Sequence, residues 1–379
     1  MRAIAELLAG CAPSRRQLAN ELGISPAAIS QLLNHGQIPK RNWPEVRAAI
    51  VELVSANGKE QNDINAALAD LEAAPPAESE EDIMILRKQS LTMQARKAFC
   101  LVKNPFDDPE SPADVYLTPD SRFVRECLFQ AAVGGGFFAL VGESGSGKST
   151  LKEELISRIG AENMPVIVIE PYTLAMAASD SQGKPLRSGH IAEAILSTLN
   201  PGGRIPPSPE MRFRKVHEAL KASHTAGMRH CLIIEEAHDL HRHTLKSLKR
   251  FHELKDGLTR LLSIVLIGQT ELERKLRVTD AGVREVVQRC DVQHLAPISD
   301  PAAYVRHRLE RAGIDCAACF SDDGLEALRA SLTVSPDSRG EGVYMGYPLM
   351  IANLATAALN LAASVGEKLV NAEVVRMVR

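Results

Sequence analysis

The chain has 379 residues, 45% apolar and 24% charged, which excludes a disordered or fibrous protein and is enough for roughly two or three globular domains. Its 44 Lys and Arg against 47 Asp and Glu leave a formal net charge of −3, so the protein is not globally basic and any DNA contact must come from local patches. Seven scattered cysteines make no disulfide framework, and Cys316-Ala-Ala-Cys319, without second-site ligands, reads as ordinary packing. No apolar run is read as approaching the roughly 18 to 20 residues of a bilayer span, and the N-terminus lacks a basic-then-apolar signal, so a cytoplasmic protein without membrane contact is expected.

Residues 16–34 have the spacing of a helix-turn-helix. Ala19 lets two helices approach, Gly23 suits the turn, and Leu18, Leu22, Ile29 and Leu32 face inward. Ser25 is a natural N-cap with Pro26 behind it, so a second helix would present Ser25, Ala27, Ala28, Ser30, Gln31 and Asn34 to a major groove. Arg15, Arg16, Lys40 and Arg41 are placed for phosphates, although Glu21 and Glu45 weaken the attraction. A DNA-reading domain and a small helical bundle for protein contact both fit this span. One further helix, over 43–54, spaces Val46, Ile50, Leu53 and Val54 for burial and closes a domain of residues 1–58. Residues 59–102 form a connection. Its stretch 71–82 is too rich in proline and acid to bury much surface, and a helix is expected over 83–101.

The apolar run Phe137-Phe-Ala-Leu-Val141 predicts a buried strand. It leads into Gly142-Glu-Ser-Gly-Ser-Gly-Lys-Ser149, an unbroken phosphate-binding loop followed by Thr150 and a helix over about 148–159. Here the glycines turn backbone N–H groups toward the β-phosphate of a nucleoside triphosphate, Lys148 sets a cation on the β- and γ-oxygens, and Ser149 offers a hydroxyl to Mg²⁺. The set Gly142, Glu143, Ser144, Gly145, Ser146, Gly147, Lys148, Ser149 and Thr150 is therefore the candidate ATP-binding loop. Cys231-Leu-Ile-Ile-Glu-Glu236 is a short apolar run ending in two acids, which resembles a Walker B segment. By position Glu235 holds Mg²⁺ through water, and Glu236 orients and deprotonates the attacking water. The usual first acid is Asp. The extra methylene of Glu235 displaces the carboxylate by about an ångström, which is expected to slow hydrolysis more than binding. A third strand over 261–267 ends in Gly268-Gln269-Thr270, placing Gln269 as a sensor of the γ-phosphate.

Beyond it the chain reads as helices over 301–312, 322–332, 348–365 and 371–378, punctuated by Gly and Pro. Two basic features stand apart. Lys246, Lys249 and Arg250 fall within one helical turn, and the loop 179–187 carries Lys184 and Arg187, so each is either a contact for DNA phosphates or a solvated face.

The order Lys103-Asn-Pro-Phe-Asp107, phosphate loop, acidic pair, Ile267-Gly-Gln-Thr-Glu-Leu272 resembles one branch of the AAA+ ATPases, that of the ExeA-like, TniB-like and phage Mu B-like proteins. The resemblance covers roughly residue 103 onward, and Mu B-like proteins also carry a helix-turn-helix ahead of the ATPase. It implies an α/β P-loop NTPase, with an AAA+ core of parallel sheet flanked by helices over 103–297, an all-α lid over 298–379 and an all-α N-terminal helix-turn-helix domain. It places Asn104, Pro105 and Phe106 near the adenine, against the alternative of a proline-bounded turn that packs Phe106 in the core. It implies an arginine reaching the γ-phosphate of a neighbouring subunit, with Arg289 at the matching place and Arg284 in reserve, or else ordinary surface cations. Gly346-Tyr-Pro-Leu349 has leucine where such relatives often carry a phosphate-sensing arginine. Secretion-type relatives add a membrane span and a wall-binding module after the lid, and neither is met before Arg379, which turns the expectation toward transposition. The function implied is an ATP- and Mg²⁺-dependent homo-oligomer on double-stranded DNA that recruits or activates a transposase. A helix-turn-helix regulator with a nucleotide switch and an ExeA-like ATPase acting on a secretion or assembly partner are the alternatives.

Overall fold

The computed structural model describes Gln17, Leu22 and residues 43–56, 88–171, 186–276, 284–334 and 342–378. The chain divides into two units, Met1–Met84 and Ile85–Arg379.

In the first unit, helix α1 (Trp43–Ala56) buries Val46, Ile50 and Val54, one residue per turn of a single face, and leaves Leu53 partly covered. Leu22 is the one expected core position of the helix-turn-helix that falls among the described residues, and it is buried. Arg15, Arg16, Ser25, Ala27, Ala28, Ser30, Gln31 and Asn34 lie outside the described residues, as does the linker 71–82.

The second unit opens with the short helix α2 (Met93–Ala98). Of the helix expected over 83–101, residues 83–87 lie outside the described residues, and over 88–101 only Met93–Ala98 is helical, for a tertiary reason. Gln89 N–H donates to Asn353 Oδ1 (3.3 Å), Thr92 N–H donates to Asn360 Oδ1 (2.8 Å), and Asn360 Nδ2 donates to Ser90 O (2.9 Å). Backbone groups that would close a helical turn are committed elsewhere, and Thr92 caps what remains through Ala95 N–H.

The chain then alternates: α3 (Pro119–Gly134), β1 (Phe137–Val141), α4 (Lys148–Ala161), β2 (Val166–Ile169), α5 (Ser188–Leu199), α6 (Pro209–Thr225) and β3 (Arg229–Ile234). After it come α7 (Arg242–His252), a small ribbon of β4 (Lys255–Asp256) and β5 (Thr259–Arg260), then β6 (Ser263–Gly268), α8 (Thr270–Lys275), α9 (Arg284–Val287) and β7 (Asp291–His294). The five longer strands form one parallel sheet in the order β2-β3-β6-β1-β7. Every residue of β1 and β6 is buried, as expected of strands covered on both faces. One face, with Phe138, Leu140, Ile233 and Val265, packs with Leu128 of α3 and Leu155 of α4. The other, with Phe137, Ala139, Leu232 and Leu266, packs with α5, α6 and α7.

The C-terminal region comprises α10 (Pro301–Arg311), α11 (Asp322–Ser331), the ribbon β8 (Thr333–Val334) with β9 (Val343–Tyr344), α12 (Pro348–Val365) and α13 (Ala372–Met377). Its core takes in Leu91, Ala95 and Phe99 around α2, together with Cys316 and Cys319. The sequence reading found no apolar run of membrane-spanning length, yet α12 is 18 residues of mean hydropathy 1.5, long and apolar enough by those measures alone. Four leucines with Met350, Ile351, Val365 and the alanines, and no intervening charge, give it that value, and 61% of it is buried as the central helix of this region.

Candidate nucleotide site

Because β3, β6 and β1 are neighbours, the segments that leave their C-terminal ends meet at one edge of the sheet, where parallel α/β sheets bind ligands. The loop after β1 is anchored by Gly142 N–H on Gly268 O (3.3 Å). Gly145 and Gly147 sit at φ of +73° and +96°, a region that side chains rarely adopt. A Cβ on Gly142 would lie 2.6 Å from Ser146 Oγ, and one on Gly145 would lie 2.5 Å from the Cβ of Leu349. Lys148 Nζ donates to the carbonyls of Gly142 and Glu143, 2.8 Å each, and burial lowers its pKa against the pull of Glu236, Glu143 and Glu271. Ser146 Oγ is buried without a hydrogen-bond partner.

The two acids face different partners. Glu236 adopts a left-handed φ of +48°, unusual for a side-chain-bearing residue, and lines the same cavity as the loop. Glu235 points to a different partner: its Oε2 accepts from Lys152 Nζ at 3.1 Å. Lys152, on α4, also meets Glu170 at 2.9 Å and Glu153 at 2.9 Å. Burial works against the Lys152 charge, but the three carboxylates outweigh it and hold its pKa above the usual lysine range. Gln269 sits at the N-cap position of α8 without a side-chain cap bond and lines the cavity, while its N–H donates to His238 Nδ1 (3.3 Å), which lies 3.4 Å from Glu236 Oε2. Thr270 Oγ1 donates to Glu143 Oε1 (3.0 Å), tying the phosphate loop to the start of α8. Lys152 and His238 escaped the sequence reading, and Thr270 entered it only as part of Gly268-Gln269-Thr270, with no role of its own. His238, two residues past the acidic pair, was the one within reach of local inspection.

A cavity of about 350 Å³ runs from the loop 144–151, Glu236 and Gln269 to an aromatic end at Phe106, Tyr116 and Tyr304. Tyr116 and Tyr304 meet edge to face, with ring centroids 5.7 Å apart. Asn104 is buried and shapes a turn: its Oδ1 accepts Phe106 N–H (3.1 Å), and its Nδ2 donates to Asp107 Oδ1 (3.0 Å). Pro105 O accepts from Arg308 Nε of α10 (2.8 Å). Of this trio only Phe106 lines the cavity, and it also belongs to the C-terminal core, so both readings of the segment meet in that side chain. At the loop end, Leu349 seats α12 on the phosphate loop, with its N–H donating to Gly145 O (3.2 Å).

Among the described residues of the second unit, Arg284, Arg289, Lys246, Lys249, Arg250 and Arg187 are not part of the cavity lining. Arg289 donates to Glu285 O (2.9 Å) and pairs with Glu253 (3.1 Å), while Arg284 is exposed at the start of α9. Lys249 is bound to Glu285 and approaches Glu253 at 3.7 Å, so two acids share its charge. Lys246 and Arg250 are exposed on α7. Arg187 is exposed just before α5, and Lys184 lies outside the described residues.

The donors at one end, the partnerless Ser146 hydroxyl, the Lys148 ammonium and the aromatic far end fit ATP with Mg²⁺, which P-loop AAA+ domains bind. Residues 132–276 match the family model described as AAA domain. A curated relative, General secretion pathway protein A of Aeromonas hydrophila, is 28% identical over 219 residues, 57% of this chain and 37% of that protein, so the chain spans little more than a third of its length. Among solved structures, the Aeropyrum pernix ORC2 protein in its ADPNP–ADP complexes is similar at 17% identity and a TM-score of 0.46, covering 73% of this chain and 70% of that one. Cdc6p from Pyrobaculum aerophilum is similar at 18% identity and a TM-score of 0.48, with coverage of 73% and 70%. The strand order, the phosphate loop and the matched segment together make this a P-loop AAA+ fold, a parallel sheet flanked by helices with a helical C-terminal region.

Proposed function

We propose that the chain hydrolyses ATP and uses its nucleotide state to govern binding to double-stranded DNA. The observation that supports this best is the sharing of one cavity by Lys148, Glu236 and Gln269, delivered from three neighbouring strands. In this reading the loop 142–149 and the first turn of α4 hold the triphosphate, and Lys148 offsets its charge. Glu236 orients the attacking water and takes its proton, while Gln269 reads the γ-phosphate. Magnesium, held by Ser149 and Glu235, would supply positive charge to the β- and γ-oxygens. Arg289 or Arg284 of a neighbouring subunit would complete the site in an oligomer. Lys246, Arg250 and Arg187 are the exposed candidates for DNA phosphates, and Ser25, Ala27, Ala28, Ser30, Gln31 and Asn34 are the candidates for base contacts. The finer form of the reading is delivery of DNA to a transposase. A second reading, an ATPase acting on a secretion or assembly partner, is favoured by the likeness to General secretion pathway protein A.

Binding of the full chain to unrelated duplexes at fixed salt, with ATP, with ADP and without nucleotide, separates the readings. ATP-dependent, sequence-tolerant binding that is lost in Lys148→Ala is expected. Hydrolysis without DNA binding supports the secretion-type reading, and DNA binding indifferent to nucleotide overturns the proposal in favour of a helix-turn-helix regulator.

A further inference from the structure

We propose that Lys152 is a positioning residue for Glu235, fixing the first acid of the pair so that one carboxylate oxygen is held by the protein and the other is left to the metal. Lys152 follows Lys148 by one turn on α4, and only 7% of it is exposed. Its ammonium has three N–H groups and meets three carboxylates, those of Glu153, Glu170 and Glu235. They come from α4, from just beyond β2 and from just beyond β3, so a single side chain ties together a helix and the ends of two strands. Glu235 is the partner that matters for chemistry. Its side chain is 37% exposed and without an anchor would spread over several rotamers, losing whatever geometry the metal requires.

The same contact accounts for a residue the sequence left unexplained. An Asp at position 235 would stop one methylene short of Lys152, whereas Glu reaches it at 3.1 Å. The longer acid and the buried lysine therefore work as a pair. A lysine that merely stapled helix to sheet would have no bearing on the metal, and this difference can be measured.

The inference rests on the ATPase reading, and its test keeps the two separable. A fluorescent ATP analogue is bound to the full chain at rising Mg²⁺, for the unmodified protein, Lys152→Met, Lys152→Arg, Glu235→Gln and the double variant Lys152→Met/Glu235→Gln. Lys152→Met is expected to raise the half-saturating Mg²⁺ concentration by about tenfold, in the range found for groups that orient metal ligands, while metal-free nucleotide affinity stays within about twofold. Lys152→Arg is expected to restore most of the Mg²⁺ response, and the double variant to be no worse than Glu235→Gln alone. Lys152→Gln, which keeps a donor and loses the charge, is read by the same criteria where Lys152→Met does not fold. An unchanged Mg²⁺ response, a parallel loss of metal-free affinity, or additive losses in the double variant would each overturn the assignment. Unmodified protein whose nucleotide binding ignores Mg²⁺ would instead remove the ATPase reading beneath it.

Discussion

Gly145→Ala puts a single methyl group where the phosphate loop and α12 touch, and its cost has two separable parts. At a φ of +73° an alanine carries about 1 kcal/mol of backbone strain that glycine does not. Its Cβ would also lie 2.5 Å from Leu349 Cβ and 2.9 Å from Leu349 Cδ2, closer than packed carbons approach, so the loop or the helix must move. Overpacking of this kind costs about 1–3 kcal/mol. The sum, about 2–4 kcal/mol, falls on nucleotide binding if the loop yields and on unfolding free energy if α12 yields, with each 1.4 kcal/mol worth about a factor of ten in affinity. Titration with a fluorescent ATP analogue and urea unfolding, run side by side, partition it. In a Leu349→Gly background the overlap is gone, so Gly145→Ala added to it should cost only the backbone part relative to Leu349→Gly alone. Gly145→Ala with both the affinity and the stability of the unmodified protein would refute the loop conformation and the seating of α12 on it.

Two other perturbations probe different layers. Glu236→Gln keeps the shape of the side chain but removes the base, so ATP should still bind while turnover falls by about a hundredfold or more, read as phosphate release under single-turnover conditions. His230 and His252 are both buried, and burial is the leading cause that lowers the pKa of each below the ordinary 6.5. The unfolded chain then binds protons that the folded one does not, so unfolding free energy should be level above about pH 7. It should decline as pH falls below 6.5, by up to about 1.4 kcal/mol per pH unit for each histidine. Urea unfolding from pH 8 to pH 5 checks this, and His252→Gln should flatten part of the slope; a slope of opposite sign would contradict the neutral, buried state of the two rings.

What the sequence made legible was local in origin. The apolar run of β1, the glycines behind it and the good start of α4 sit side by side in the chain, and they fold as read. The C-terminal helices were equally plain from the Gly and Pro between them, and two are also capped locally: Asp300 takes Ala303 N–H at 3.1 Å and Asn371 takes Val374 N–H at 3.0 Å. What stayed hidden depends on partners far along the chain. Strand β7, Asp291-Val-Gln-His294, pairs with β1 alone among the described residues and is only partly covered, and it carries no apolar run to mark it. Lys152 reads as one more helix cation until Glu235, 83 residues away, is brought against it. The helix expected over 83–101 is cut short at residues 88–92 for the same reason, since Asn353 and Asn360 take the backbone groups a local pattern assigns to a helix. Leu349 was noticed for the arginine it is not, while its seat on Gly145 needed the fold to become visible.

The central claim is that the loop at Lys148 binds ATP in the cavity shared with Glu236 and Gln269. The most direct measurement is equilibrium binding of ATP with Mg²⁺ by calorimetry, on the unmodified chain and on Lys148→Ala, with unfolding curves to show that both are folded. One site per chain, weakened by about tenfold or more in a folded Lys148→Ala, is the predicted result. No ATP binding by the unmodified chain, or equal binding by the two, would contradict the account.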